Sequence, residues 1–102
     1  MSARRPANSV TILQRRLAQA ESSPPEAIEL ASIHDELSRV ERKWLIQFNQ
    51  GSERRKPEDR EKLDAWFGRL QRLIEASLRA PPDEPSSALL RATLSKIAAR
   101  HA

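Results

Sequence analysis

Two long stretches of the chain, Pro24–Gln50 and Pro57–Ala80, repeat apolar residues every three or four positions. This spacing places the apolar side chains on one face of an α-helix, because the helix turns once in about 3.6 residues. The positions are Leu30, Ile33, Leu37, Val40, Trp44 and Phe48 in the first stretch, and Leu63, Trp66, Phe67, Leu70, Leu73, Ile74 and Leu78 in the second. The pattern therefore predicts two amphipathic helices, and no segment has the alternation typical of a β-strand.

Proline and capping residues predict where helices begin. Ser23 suits an N-cap, Pro24 the first helical position, and Glu26 the reciprocal partner in a capping box. Near the C-terminus, Asp83 or Ser86 can cap a last helix. These signals agree with the apolar periodicity and favour a helical fold throughout.

The predicted fold is all-α, a long antiparallel helical hairpin with two shorter flanking helices in a bundle-like arrangement. The connection Gly51–Lys56 is short, so the long helices are expected to run antiparallel. Residues 1–8 are predicted to be a flexible basic arm, and residues 9–102 a single helical domain. The predicted helices cover about residues 9–20, 24–50, 57–80 and 84–100.

The predicted core is thin, which favours self-association. Leu, Ile, Val and Phe together make up about a fifth of the chain, close to the level below which a chain tends not to fold alone. Long helices with a thin core are often completed by another chain. We therefore expect a homo-oligomer, with a dimer as the first hypothesis, and a protein partner.

Several function classes are not supported by the sequence. The chain has no cysteine and only two histidines, and no phosphate-binding loop or zinc-protease motif is present. We expect no catalytic residue, metal, cofactor or small-molecule substrate. No apolar run reaches the ~18 residues of a membrane span, so no membrane association is expected. A cytoplasmic location is predicted, with a mitochondrial address in the acid-free, arginine-rich start of the chain as the alternative.

Cations at two places suggest contacts with anions. The first twenty residues contain four arginines and no acid, and the predicted hairpin tip has three cations in a row. Such groups can neutralise nucleic-acid phosphates or face an acidic protein surface; ordinary solvated side chains are the alternative. The candidate residues for anion or nucleic-acid contact are Arg4, Arg5, Arg15, Arg16, Arg54, Arg55 and Lys56.

Ile28, Ile46 and Trp44 are the candidate partner-binding residues. At 100° per residue, Ile28 and Ile46 point in one direction, nearly opposite the main apolar stripe. They could form a second apolar surface for a partner or a dimer mate, be covered by a terminal helix, or be single apolar residues that are simply exposed. Trp44 lies on the main stripe, where core packing competes with a role as a binding anchor.

Other features of the two long helices have structural explanations. Asp35–Arg39, Glu58–Lys62 and Glu75–Arg79 are predicted as ion pairs one helical turn apart. Gly68 lies inside the second long helix, where glycine costs about 1 kcal/mol relative to alanine. Either another backbone approaches it closely or the glycine is simply tolerated.

In layout, with a first long helix opening at Ser23-Pro24-Pro25-Glu26, the chain is similar to small helical regulators such as the TraM-type antiactivators of quorum sensing. This resemblance implies long paired helices and no site residue. The first functional hypothesis is a non-enzymatic interaction or regulatory module, an adaptor or inhibitor, that binds a partner protein. The alternative is an accessory nucleic-acid-binding subunit.

Overall fold

A computed structural model describes residues 9–49, 57–79 and 83–100, which form four α-helices and no strand. The all-α, bundle-like prediction is confirmed. The basic arm of residues 1–8 and the predicted hairpin tip, residues 51–56, lie outside the described residues. The helices are α1 (Ser9–Ser22), α2 (Ala27–Asn49), α3 (Pro57–Arg79) and α4 (Glu84–Ala99).

The boundary between α1 and α2 differs from the prediction. The Ser23 amide donates to the Gln19 carbonyl at 2.9 Å, so Ser23 closes α1 and does not cap α2. The first carbonyl of α2 to accept a helical hydrogen bond is that of Glu26, from the Leu30 amide at 3.3 Å. A residue before proline avoids the helical region, so the Pro24–Pro25 pair delays α2 until Ala27.

All four helices contribute to one core, and the predicted stripes supply it. α2 provides five of the six stripe residues predicted for it; the sixth, Phe48, has no described side chain. The two tryptophan rings pack at 6.0 Å between centroids with an interplanar angle of 54°. The buried apolar residues are Leu13, Leu17, Ala20, Ala27, Leu30, Ile33, Leu37, Val40, Trp44, Leu63, Trp66, Phe67, Leu70, Ile74, Leu90 and Ile97.

α2 and α3 form the centre, and α1 and α4 flank them. Each outer helix packs on both central helices, and α1 and α4 do not contact each other within the described residues. The terminal helices therefore cover core positions of their own chain. The antiparallel direction of α2 and α3 stays a prediction.

Arginine–glutamate pairs join α1 to the central helices. Arg16 donates from Nε and Nη2 to the two carboxylate oxygens of Glu29 on α2, at 3.0 and 2.9 Å, and from Nη2 to Ser32 Oγ at 2.8 Å. Arg69 on α3 makes a similar bidentate contact with Glu21 on α1, with Nε 3.0 Å from Oε2. This hydrogen-bonded contact lowers the pKa of Glu21. Both pairs fix α1 in register, because a bidentate contact is geometrically specific.

Polar contacts at both ends of α4 position it. Asp83 is the N-cap, and its Oδ1 accepts from the Ser86 amide at 3.2 Å, which selects Asp83 from the two predicted caps. At the other end, Arg100 donates from Nε to Glu41 Oε2 at 3.0 Å and from Nη2 to Asp64 Oδ1 at 3.1 Å. One arginine thus joins the end of α4 to both α2 and α3.

The predicted ion pairs along the helix surfaces differ in spacing. Arg39 bonds to Glu36 and Lys62 lies 3.8 Å from Asp59, so both partners are three residues away and not four. No Glu75–Arg79 ion pair forms in the described part of the chain. A pair at either spacing gains only a few tenths of a kcal/mol, ~0.2–0.5, so small rotamer preferences select between them.

Candidate interaction surface

The outer face of α2 exposes two isoleucines. Ile28 is 72% exposed and Ile46 is 58% exposed, and neither α1 nor α4 covers them. Eighteen positions separate them, or about 27 Å at 1.5 Å per residue, so they mark the two ends of one face. Single exposed apolar residues are common on protein surfaces, so these two suggest a contact surface only together with the features around them.

Charged residues occupy the part of this face between the isoleucines. Asp35 and Arg39 have side chains 65% and 64% exposed. Arg42 and Lys43 are exposed as well, and neither forms an ion pair with a described residue. The face is therefore apolar at its ends and charged along its middle.

A groove of about 680 Å³ opens beside Ile28, where the start of α2, the end of α3 and the start of α4 meet. Its walls include Ala27, Leu73, Ala76 and Leu90. The acidic residues Glu26 and Asp83 also line it, and both are exposed. The groove offers apolar walls with negative charge at its edge, which suits an apolar side chain next to a cation.

The sequence did not indicate this groove. In the sequence, Leu73 is only one member of a regular apolar stripe, and Asp83 is only a candidate helix cap. The groove depends on how three helix ends are placed relative to one another, which periodicity within a single helix does not determine.

Trp44 is in the core. It is 5% exposed and packs on Trp66. Of the three predicted partner-binding residues, the structure places Ile28 and Ile46 on the outer face of α2 and Trp44 opposite them.

The candidate anion-contact residues are separated by the structure. Arg15 is exposed. Arg16 is held by Glu29 and Ser32, and the hydrogen-bonded Glu29 carboxylate raises the pKa of Arg16. Its charge is therefore already engaged within the fold. The remaining five, Arg4, Arg5, Arg54, Arg55 and Lys56, lie outside the described residues.

The structure also shows an aromatic and cationic cluster that the sequence did not predict. His34 is 7% exposed and meets Phe67 edge-on at 6.1 Å, and the Arg100 guanidinium lies 3.7 Å from the centre of the Phe67 ring. Burial lowers the pKa of His34, nearby Asp35 acts in the opposite direction, and Lys96 and Arg100 lower it further. The cluster thus favours a neutral, structural His34.

No metal-binding group of three His, Asp or Glu side chains exists within residues 9–49, 57–79 and 83–100. Over the same ranges, no helix has an apolar stretch long enough to cross a bilayer.

Comparisons with protein-family models, curated proteins and solved structures gave no match.

Proposed function

We propose that the protein is a non-enzymatic helical interaction module, an adaptor or inhibitor, that binds a partner protein through apolar and charged helix surfaces. The observation that carries this proposal is the exposure of Ile28, 72%, beside an apolar groove. Complete burial of an exposed isoleucine side chain stabilises a complex by about 1.5–3 kcal/mol. A partner that covers Ile28 and fills the groove would supply that burial.

The groove's lining indicates what the partner presents. Ala27, Leu73 and Leu90 accept an apolar side chain, and Glu26 and Asp83 favour a Lys or Arg close to it. A partner segment with an apolar anchor and a flanking cation matches both features. An acidic segment would be repelled by the two carboxylates.

A comparison of partner capture by two tryptophan variants tests the proposal. Ala76 is exposed in the groove, so Ala76→Trp fills it without disturbing the core, whereas Ala92 is exposed on α4 outside the groove. Immobilised wild-type chain and Ala92→Trp should capture the same partner protein, and Ala76→Trp should capture at least tenfold less. Equal capture by both variants would show that the groove is not the binding site.

The alternative proposal is an accessory nucleic-acid-binding subunit. It is supported by Arg15, Arg42 and Lys43, which are exposed and form no ion pair with described residues. Binding of this kind weakens steeply as salt rises from about 50 to 200 mM, because counterions are released when phosphates are neutralised. Nuclease-sensitive capture with that salt dependence, unchanged in Ala76→Trp, would favour this alternative.

We also propose a cytoplasmic location, with a mitochondrial one as the alternative. Imaging of the chain fused at its C-terminus to a fluorescent protein distinguishes them. A signal confined to mitochondria would favour an address in the first twenty residues.

A further inference from the structure

On the outer face of α2, the two isoleucines and the polar residues between them are regularly spaced. Six residues follow one another at alternating steps of four and three, which is the spacing of a coiled-coil seam. All are exposed except Ser32, which is half-buried. The outer seam consists of Ile28, Ser32, Asp35, Arg39, Arg42 and Ile46.

This seam is complementary to itself when two copies of α2 run antiparallel with their centres aligned at Leu37. Ile28 and Ile46 each lie nine residues from Leu37, so each meets the other on the second copy. Asp35 and Arg39 each lie two residues away, so each carboxylate meets a guanidinium of the second copy. In an antiparallel coiled coil the two seam positions face each other in this way.

Residues beside the seam fit the same arrangement. Lys43 comes next to Glu29 of the second copy, whose carboxylate is also bonded to Arg16 of its own chain, and Ala31 comes next to Leu45, which is 38% exposed. One contact is unfavourable, because Glu36 lies near its own copy at the twofold axis. Arg39 of the same chain bonds to Glu36, which offsets part of that repulsion.

A parallel pairing is much less favourable. In register, it would place Asp35, Arg39 and Arg42 each opposite an identical charge, and opposed like charges are destabilising. Within its own chain Asp35 lies 3.6 Å from His34 Nδ1 and Arg39 bonds to Glu36, but the Asp35 and Arg39 side chains are 65% and 64% exposed, so a second copy can still reach them. α1 reaches one seam residue, Ser32, whose Oγ accepts from Arg16 Nη2 at 2.8 Å, and the other five seam residues are exposed.

We propose that this outer seam is a homodimer interface, in which α2 packs antiparallel on α2 of a second copy. Its apolar contacts come from two isoleucine layers about 27 Å apart, with Asp35–Arg39 pairs between them. A single helix pair buries less surface than a stable dimer interface, so the association is weak and concentration-dependent. The proposal does not depend on which protein occupies the groove beside Ile28.

Sedimentation equilibrium measures the association directly. The wild-type mass should rise with concentration from that of the 11.6 kDa chain towards twice that value. Ile46→Asp should remove the rise, whereas Ile12→Asp, which replaces an exposed isoleucine on α1, should keep it. A monomer at every concentration, or equal association by the two variants, would overturn the proposal.

Disulfide cross-linking then tests the direction of packing, since the chain has no cysteine of its own. A mixture of Ile28→Cys and Ile46→Cys chains should form the mixed disulfide under mild oxidation, at least tenfold faster than either chain with itself. Faster coupling of Ile28→Cys to itself would mean a parallel pair and would overturn the proposed register. Far-ultraviolet circular dichroism checks that each variant remains helical.

The dimer and the partner-binding proposals fail separately. A monomeric chain that still captures its partner through the groove would exclude the seam interface alone. A dimer whose partner capture is unaffected by Ala76→Trp would exclude the groove alone.

Discussion

At the scale of single residues, three side chains, Arg100, Phe67 and His34, meet where the end of α4 joins the central helices. Arg100 joins α4 to Glu41 and Asp64 while its guanidinium lies over Phe67. His34 packs against the same ring from α2. None of these contacts involves neighbours in sequence, so helical periodicity does not reveal them. Gly68, by contrast, is a residue whose role the sequence left open.

Gly68→Ala should stabilise the protein. An added Cβ would meet only Arg72 Nη1, at 3.8 Å, so no close backbone approach requires the glycine. Alanine in a helix interior is favoured over glycine by about 0.5–1 kcal/mol. Urea unfolding followed by circular dichroism should show that increase in the free energy of unfolding, and a decrease would reveal a contact at this position.

Arg100→Ala should destabilise the protein by about 2 kcal/mol, because hydrogen bonds to charged groups are worth ~1.5–3 kcal/mol and solvent screens part of them. The stability of Arg100→Lys should lie between those of wild type and Arg100→Ala, since lysine keeps the charge but loses the bidentate geometry and the ring contact. Arg91→Ala is the matched control, because its pair with Glu84 is exposed and should contribute less than about 0.5 kcal/mol. Equal losses for Arg100 and Arg91 would contradict this account of α4.

Stability should fall as the pH is lowered through the ordinary histidine pKa of 6.5, because the pKa of His34 is lowered by burial in the folded chain. Between the two pKa values the unfolded chain binds a proton that the folded chain does not, so unfolding becomes easier. The contribution of His34 is complete above pH 6.5, decreases below it, and levels off below the folded pKa. Each unit of pKa difference costs about 1.4 kcal/mol.

Urea unfolding of wild type and His34→Gln across that pH range checks this expectation. The variant should lose the part of the pH dependence that belongs to His34. A wild type whose stability rises as the pH falls through 6.5, with the rise absent in His34→Gln, would contradict the assigned direction.

At the scale of helices, the sequence predicted the number of helices and most of their buried faces, because each follows from local periodicity and local breakers. It misplaced the start of α2, because Ser23-Pro24-Pro25-Glu26 fits a capping box. Pro25 disfavours a helical backbone at Pro24, and α2 begins at Ala27. It identified Ile28 and Ile46 as the opposite face of α2. It could not find the groove or the Arg100 contacts, which depend on the positions of separate helices.

The contact between α1 and α2 should show measurable coupling. In a double-mutant cycle with Arg16→Ala and Glu29→Ala, we expect a coupling energy of about 1 kcal/mol, since the pair is bidentate and half-exposed. Salt near 1 M should reduce it. The Arg91–Glu84 pair, treated in the same way, should give a value close to zero. No coupling for Arg16–Glu29 would mean that this pair does not help to hold α1 on α2.

At the scale of the whole molecule, the core uses the inner faces of all four helices and leaves the outer face of α2 exposed except at Ser32, which Arg16 of α1 reaches. That face carries exposed apolar residues at both ends and complementary charges between them. The groove beside Ile28 adds a second concave surface. We propose that these surfaces are contact sites and that the packed aromatic residues are structural.

Thiol labelling of single-cysteine variants distinguishes an exposed contact residue of α2 from a core residue. In dilute solution Ile46→Cys should react about as fast as a free thiol, and Leu37→Cys, whose native side chain is fully buried, should react only through unfolding. At high protein concentration Ile46→Cys should become protected, while Ile12→Cys should not. An Ile46→Cys thiol already protected in dilute solution, or unaffected by concentration, would contradict the account.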